Sequence, residues 1–425
     1  MPSLLIDTTP LRVSPPFRRL WSGLAVANIG GQLTVVAVGL QVYGITRSTF
    51  SVGVLGIFAL VPLVFFGLYG GSIVDHYDRR KVALVSSVVS WCATLGLLSQ
   101  ALAGNRNVWV LFLLVAVQSG AGAVNSPARS AIYPRLLTPQ LMPAANALQT
   151  LAFNVALTGG PLLGAVLVAT VGYSLAYGLD AALFTFALLA LWRLPAIPPE
   201  ESITSTAGLR SVLDGLRYLG TRPNVRTTFV ADLIAMITAM PRVIFPAVGV
   251  MFLGGGATTT GALTAAIAVG GILASLFSGG LTRARWQGQV IVWAITGWGL
   301  AVLVFGLVLV TAGRTQPGHV LWPALAVALV VLAVAGASDS ISAVFRQTIL
   351  QTAAPDEMRG RLQGVFTVVV VGGPRLGDLW IGTLSSRVGE AWAAAFGGAL
   401  CVVLLWLVVR TQRGFWHYDA LDPQP

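Results

Sequence analysis

Runs of about twenty apolar residues recur along this chain so regularly that little of it is left for anything else. A helix needs roughly 20 such residues to cross the hydrocarbon of a bilayer, and on that measure about twelve candidates stand out. They fall at 22–46, 51–74, 82–103, 108–134, 143–170, 174–194, 226–252, 259–282, 289–312, 320–346, 361–385 and 390–411. A composition of 56% hydrophobic and only 10% charged residues agrees, and so does a mean hydropathy of +0.81. The expected fold class is therefore an all-α integral membrane protein whose working environment is the lipid bilayer.

The net charge of +11 does not point to nucleic acid, because a nucleic-acid binder gathers its basic residues on one soluble surface. Here they stand singly or in small groups between apolar runs, and Lys81 is the one lysine among them. Arg79, Arg80, Lys81, Arg135, Arg193, Arg210, Arg217, Arg222, Arg226, Arg283, Arg285, Arg359 and Arg361 fall in one set of alternate loops. Arg47, Arg106, Arg314 and Arg387 fall in the other, and that asymmetry places the richer set in the cytoplasm. An even number of spans then puts both termini in the cytoplasm, with residues 1–21 and 412–425 as tails. No cleavable signal is expected, since Arg18-Arg19 precede an apolar run of full spanning length. Cys92 and Cys401 lie inside apolar runs and read as small buried hydrophobes rather than a redox pair.

Residues 195–225 break the rhythm. Pro195, Pro198, Pro199, Glu200 and Glu201 precede a segment with apolar residues at 209, 212, 213, 216 and 219, the spacing of an amphipathic helix on a membrane face. This stretch is expected to link a bundle at 22–194 to a second at 226–411. The halves echo each other: Gly159-Gly160-Pro161-Leu162-Leu163-Gly164 returns as Gly372-Gly373-Pro374-Arg375-Leu376-Gly377, each preceded by a Pro-containing turn at Pro139 or Pro355. Two parallel repeats of six helices are the plan of one large class of transporters.

Between the second and third runs lies a short charged hinge, Gly71-Ser72-Ile73-Val74-Asp75-His76-Tyr77-Asp78-Arg79-Arg80-Lys81. Gly71 permits close helix approach, Asp75 stands near a helix end, and Asp78 suits the N-cap of the next helix. Gly71, Asp75, Arg79 and Arg80 together resemble the loop signature of the major facilitator superfamily, with His76 and Asp78 replacing its usual basic residue and glycine. The resemblance implies twelve helices in two pseudo-symmetric bundles, with Asp75 bridging the halves at a cytoplasmic gate and Arg361 as its partner. The matching loop of the second half, Gly279-Gly280-Leu281-Thr282-Arg283-Ala284-Arg285, keeps glycine and arginines but has no acid.

Asp78, Asn125-Ser126-Pro127-Ala128-Arg129, Ala144-Ala145-Asn146-Ala147-Leu148, Gly336-Ala337-Ser338-Asp339 and Arg359-Gly360-Arg361 further resemble the enterobactin exporter branch of that superfamily. Drug and proton antiporters of the superfamily carry an Arg four residues before a GxG in the fourth helix, but here Ala116 stands before Gly120-Ala121-Gly122. Coupling through that arginine is ruled out. Gly160, Pro161 and Gly164, with Gly373, Pro374 and Gly377, resemble the antiporter glycine-proline signature, and suit both tight packing and a locally loosened backbone.

Charges inside spans are the strongest functional pointers, each costing about 3 kcal/mol at the bilayer centre unless paired or hydrated. Asp339 and Arg346 are seven apart, about 20° from sharing a helix face, so both can look inward. Arg375 and Asp378, three apart, can pair locally. Asp232 and Arg242 lie about 15 Å and 80° apart on one helix, too far for a direct pair. These six residues are the expected cavity and coupling groups, with Asp378 and Asp232 as proton carriers. Gln32, Asn28 and Asn154 are expected to add hydrogen bonds, and Asp180 is expected at the outer membrane interface.

No enzyme chemistry is expected. His76, His319 and His417 all fall at loop or tail positions, so no metal cluster is predicted, and no Walker loop exists to hold a nucleotide. No cofactor is expected. The expected function is a monomeric secondary transporter in the inner membrane of a bacterium, exporting an amphiphilic small molecule, a siderophore or drug, against protons. The alternatives are a proton-coupled importer and a non-transporting scaffold or sensor.

Overall fold

The computed structural model describes residues 7–195, 197, 209–276, 284–353 and 355–421, and nearly all of them are α-helical. They fall into two compact units, Met1–Ile45 with Phe58–Gly208 and Thr46–Ile57 with Leu209–Pro425. Among the described residues, 11 helical spans are long and apolar enough to cross a membrane. The expected run at 361–385 falls inside a 33-residue helix, Asp356–Val388, which has the length to span. Its apolar character is interrupted by Arg375 and Asp378, the two charges singled out from the sequence.

The first unit holds α1 (Thr9–Val13), α2 (Pro15–Thr46), most of α3 (Thr49–His76), α4 (Arg79–Leu102), α5 (Val108–Leu136), α6 (Met142–Val171) and α7 (Tyr173–Trp192). The first long helix begins at Pro15 rather than near residue 22. Two prolines suit a first turn, where backbone N–H groups have no helical acceptor to lose. Phe17 and Leu20 then anchor this turn in a core with Val82, Ile132, Tyr133 and Leu191, so residues 15–21 belong to the bundle.

The hinge is narrower than its charge suggests, because α3 continues to His76 and only Tyr77 and Asp78 separate it from α4. Asp78 accepts from the backbone N–H groups of Arg80 and Lys81 at 2.8 and 3.2 Å, closing the α4 N-terminus. Arg79 donates to the carbonyl of Ala131, and Arg80 to that of Trp192, tying the hinge to α5 and α7. Deeper in this unit, polar side chains join helices as they do where no water competes. Tyr177 donates to Gln41 at 2.7 Å, and Gln41 and Gln100 bond each other. Asn125 donates to Ser86 and Ser87, both at 2.7 Å.

The second unit holds the first turns of α3, then α8 (Leu209–Thr221), α9 (Pro223–Thr238), α10 (Phe245–Met251), α11 (Gly256–Leu276), α12 (Gln287–Ala312), α13 (Trp322–Ala353), α14 (Asp356–Val388), α15 (Glu390–Thr411) and α16 (Arg413–Trp416). The seventh run, expected as one helix over 226–252, is broken. Pro241 cannot donate to the helical ladder, and the chain passes through a single 3-10 turn at Arg242–Ile244 before α10 begins. α8 is the expected amphipathic helix: Leu219 is buried while Leu213 and Leu216 stay exposed.

The two glycine-proline motifs do the same packing work in each unit. A Cβ at Gly164 would lie 2.9 Å from the Leu33 carbonyl of α2, and one at Gly377 would lie 3.1 Å from the backbone carbonyl carbon of Met236 in α9. In both places the missing side chain lets two backbones touch.

The C-terminal segment is docked rather than free. Phe415 is buried, and Arg285 reaches Asp419 with two hydrogen bonds of 2.6 and 2.9 Å. The Ala420 N–H donates to the Arg285 carbonyl, and Trp293, Trp406 and Trp416 pack as a ring cluster beside it. Arg285 belongs to the second-half loop that lacks an acid of its own, and the tail provides one. That ion pair holds the Asp419 carboxyl below the usual carboxylate range.

Candidate functional site

Both units bury charge, in different ways. In the first, α2, α4, α5, α6 and α7 enclose a cavity of about 480 Å³ whose wall is largely hydrogen-bonding: Asn28, Gln32, Gln118, Ser119, Ser126 and Gln149 all face it. Asn28 and Gln32 were expected to line a cavity; Asn154 does not reach this one. Two charged residues share the wall, Arg129 from α5 and Asp180 from α7.

Asp180 corrects the sequence reading. It is not interfacial but two turns into α7 and only 1% exposed. Its Oδ2 accepts from the Thr34 hydroxyl at 2.5 Å, while its Oδ1 has no partner. Gly30 makes the space: a Cβ there would run into that carboxylate. Arg129 donates from Nη2 to Ser87 at 3.3 Å and its Nε is unpartnered. Among the described residues no carboxylate forms an ion pair with it. The sequence offered a signal for Arg129, a charge inside the fourth apolar run. Asp180 was hidden by its closeness in sequence to the helix start.

In the second unit the charges compensate one another. Arg346 of α13 forms an ion pair with Asp232 of α9, both only 4% exposed at the side chain. It also reaches Asp339, one face along its own helix, at 3.5 Å. Asp339 and Arg346 thus meet as their spacing predicts, and Asp232, which was not expected to reach Arg242, finds Arg346 instead. Arg375 and Asp378 stand 3.8 Å apart on α14. Asp378 also lies against the first turns of α3, where a Cβ on Gly56 would be 3.2 Å from its own Cβ. Arg242 is exposed at the break between α9 and α10, within electrostatic reach of Asp378 and Asp339. Two carboxylates, Asp232 and Asp339, thus stand near two guanidinium groups, Arg346 and Arg242.

Of the expected gate, Arg79, Arg80 and Asp78 take the hinge contacts given above. The side chains of Gly71, Asp75 and Arg361 lie outside the described residues, as do residues 279–283 of the matching second-half loop and residues 198–201 of the linker.

The sequence profile of a family described as "transmembrane secretion effector" matches residues 7–424. The enterobactin exporter EntS of Escherichia coli strain K12 is 30% identical over 427 aligned positions, covering 99% of this chain and 98% of that one. The enterobactin exporter EntS of Citrobacter koseri is 30% identical over 97% of this chain and 96% of its own. Among solved structures, a POT family transporter in complex with 5-aminolevulinic acid superposes with a TM-score of 0.73 at 12% identity, covering 95% of this chain and 97% of that one. A bacterial homologue of the iron transporter ferroportin gives 0.67 at 14% identity over 95% and 98%, and a D-xylose-proton symporter gives 0.69 at 12% over 92% and 96%. At such identities the likeness is one of fold.

Proposed function

Because the chain belongs to the transmembrane secretion effector family of the major facilitator superfamily, a family of multi-pass transporters and not enzymes, we propose that its exported solute is a siderophore-like amphiphile driven out against protons. The relatives that match it end to end are named as enterobactin exporters, and that full-length likeness is the observation that carries the reading. The protein sits in the bacterial inner membrane with both termini in the cytoplasm, as the distribution of arginines among its loops favours. It works as a monomer, since every group the reading needs is on one chain.

Transport follows from alternating access of the bundles at 22–194 and 226–411, joined by residues 195–225, with the exposed leucines of α8 laid on the inner membrane face. The cytoplasmic gate is the hinge, Asp75 taking Arg361 as partner and Asp78 fixing the start of α4. Coupling is assigned to the Asp232, Arg346 and Asp339 group and to Asp378. A proton taken by Asp339, the more exposed carboxylate, weakens its hold on Arg346 and releases Arg346 wholly to Asp232.

The test is accumulation of a catechol siderophore in cells with and without the protein, repeated with an uncoupler. Lower accumulation that the uncoupler abolishes is expected. Loss of the uncoupler effect in Asp339→Asn, with residual downhill flux, supports the coupling assignment. Unchanged accumulation on expression overturns the export reading, and a rise in uptake with a proton gradient replaces it with import.

A further inference from the structure

The first unit presents an arginine that cannot shed its charge, inside a membrane bundle and without a carboxylate partner among the described residues. Isolating such a charge from water costs several kcal/mol, which is why buried guanidinium groups are almost always paired. The nearest explanation would be Asp180, the other charge on the cavity wall, but the two sit at different levels. Arg129 touches Ser87 of α4, whereas Trp91, one turn further along α4, already reaches Ala181 and Thr185 next to Asp180. Each charge keeps one buried atom without a hydrogen bond, Nε on Arg129 and Oδ1 on Asp180, the latter packed against Gly30. The wall they share mixes amides and hydroxyls with apolar side chains such as Leu24, Val35 and Phe184.

We propose that this cavity is an anion-accepting subsite for the exported molecule, in which Arg129 takes an oxyanion and amide and hydroxyl side chains of the wall, Gln32, Gln118 and Ser126 among them, meet hydroxyl or amide groups of the same molecule. The inference rests on the export reading and sharpens it: the solute is a small organic acid rich in hydroxyl or amide groups, not a neutral or cationic hydrophobic drug. A planar guanidinium binds a carboxylate or a pair of adjacent phenolic oxygens through two parallel N–H donors, which a lysine cannot do.

The experiment is equilibrium binding to the purified full-length protein in lipid nanodiscs, which needs no transport and so separates this inference from the flux assay. The probes are 2,3-dihydroxybenzoate and its neutral amide, 2,3-dihydroxybenzamide, equal in shape and differing in charge. Wild type is expected to bind the acid at least tenfold more tightly than the amide. Arg129→Gln should bring the two affinities together while its melting temperature stays near that of wild type. Arg129→Lys should restore part of the preference. Equal affinities in wild type, no binding of either probe to folded wild type, or a preference that survives Arg129→Gln would each overturn the subsite, and the wild-type comparison decides even if Arg129→Gln does not fold. Failure here with uncoupler-sensitive siderophore export intact would leave the export reading standing with a different site.

Discussion

Arg129 of the first unit faces a polar cavity with one weak hydroxyl contact, whereas Arg346 of the second is held between two carboxylates. The sequence treats these arginines alike, as single charges within apolar runs. Their surroundings make them opposites. A guanidinium already held by carboxylates suits coupling, while one without an acid has its partner still to come and suits a ligand. The halves, similar in helix pattern and in their glycine-proline motifs, thus hold their inward charges differently.

The contrast is broken most severely at Arg346. Arg346→Leu leaves Asp232 buried and unpaired, and should lower stability by about 3–5 kcal/mol, read as a large loss of folded protein in a detergent melting assay. The double variant Arg346→Leu with Asp232→Leu should recover most of it. By the same logic Arg129→Leu removes a charge that lacks an internal partner, so its melting temperature should hold or rise. A collapse there comparable to that of Arg346→Leu would erase the distinction.

A smaller effect tests the likeness beneath the contrast. Gly164→Leu and Gly377→Leu force side chains into matching backbone contacts and should each cost about 1–3 kcal/mol. A large penalty in one unit with none in the other would show that the repeated motif packs only one of them. At the hinge, Asp78→Ala removes the cap of α4 and should cost about 1 kcal/mol of stability, with Asp78→Ser close to wild type.

The smallest effect concerns the tail. Asp419 has a lowered carboxyl pKa in the folded protein, so its stabilising contribution is present above the ordinary carboxylate range and is lost as pH falls through the lowered value. The melting temperatures of wild type and Asp419→Ala should differ slightly at neutral pH and converge in acid. A gap that persists in acid would mean that Asp419 acts through packing and not through Arg285.

Several features were legible because they are local. Spanning runs, the Asp78 cap and the i, i+3 pairing of Arg375 with Asp378 depend on residues a few positions apart, and backbone geometry places those without help. The amphipathic period of α8 is of the same kind. The start of α2 was misplaced because Arg18 and Arg19 look like a tail, although Phe17 and Leu20 are what the core uses. The break in the seventh span needed Pro241 to be read as a chain breaker within an otherwise apolar run.

What the sequence determined by itself is the class of protein, since apolar runs of spanning length leave no other stable environment and hydropathy sums along a helix without knowledge of its neighbours. Helix contacts decided which charges meet. Asp232 and Arg346 are 114 positions apart, and Thr34 and Asp180 are 146 apart, so their pairing depends on the rotation and depth of packed helices rather than on spacing. The same packing decided that Asp180 lies against Gly30 and that Arg129 finds no acid among the described residues. A one-dimensional pattern can say that a charge is costly where it lies; only the folded arrangement says whether that cost is already offset or left for a ligand.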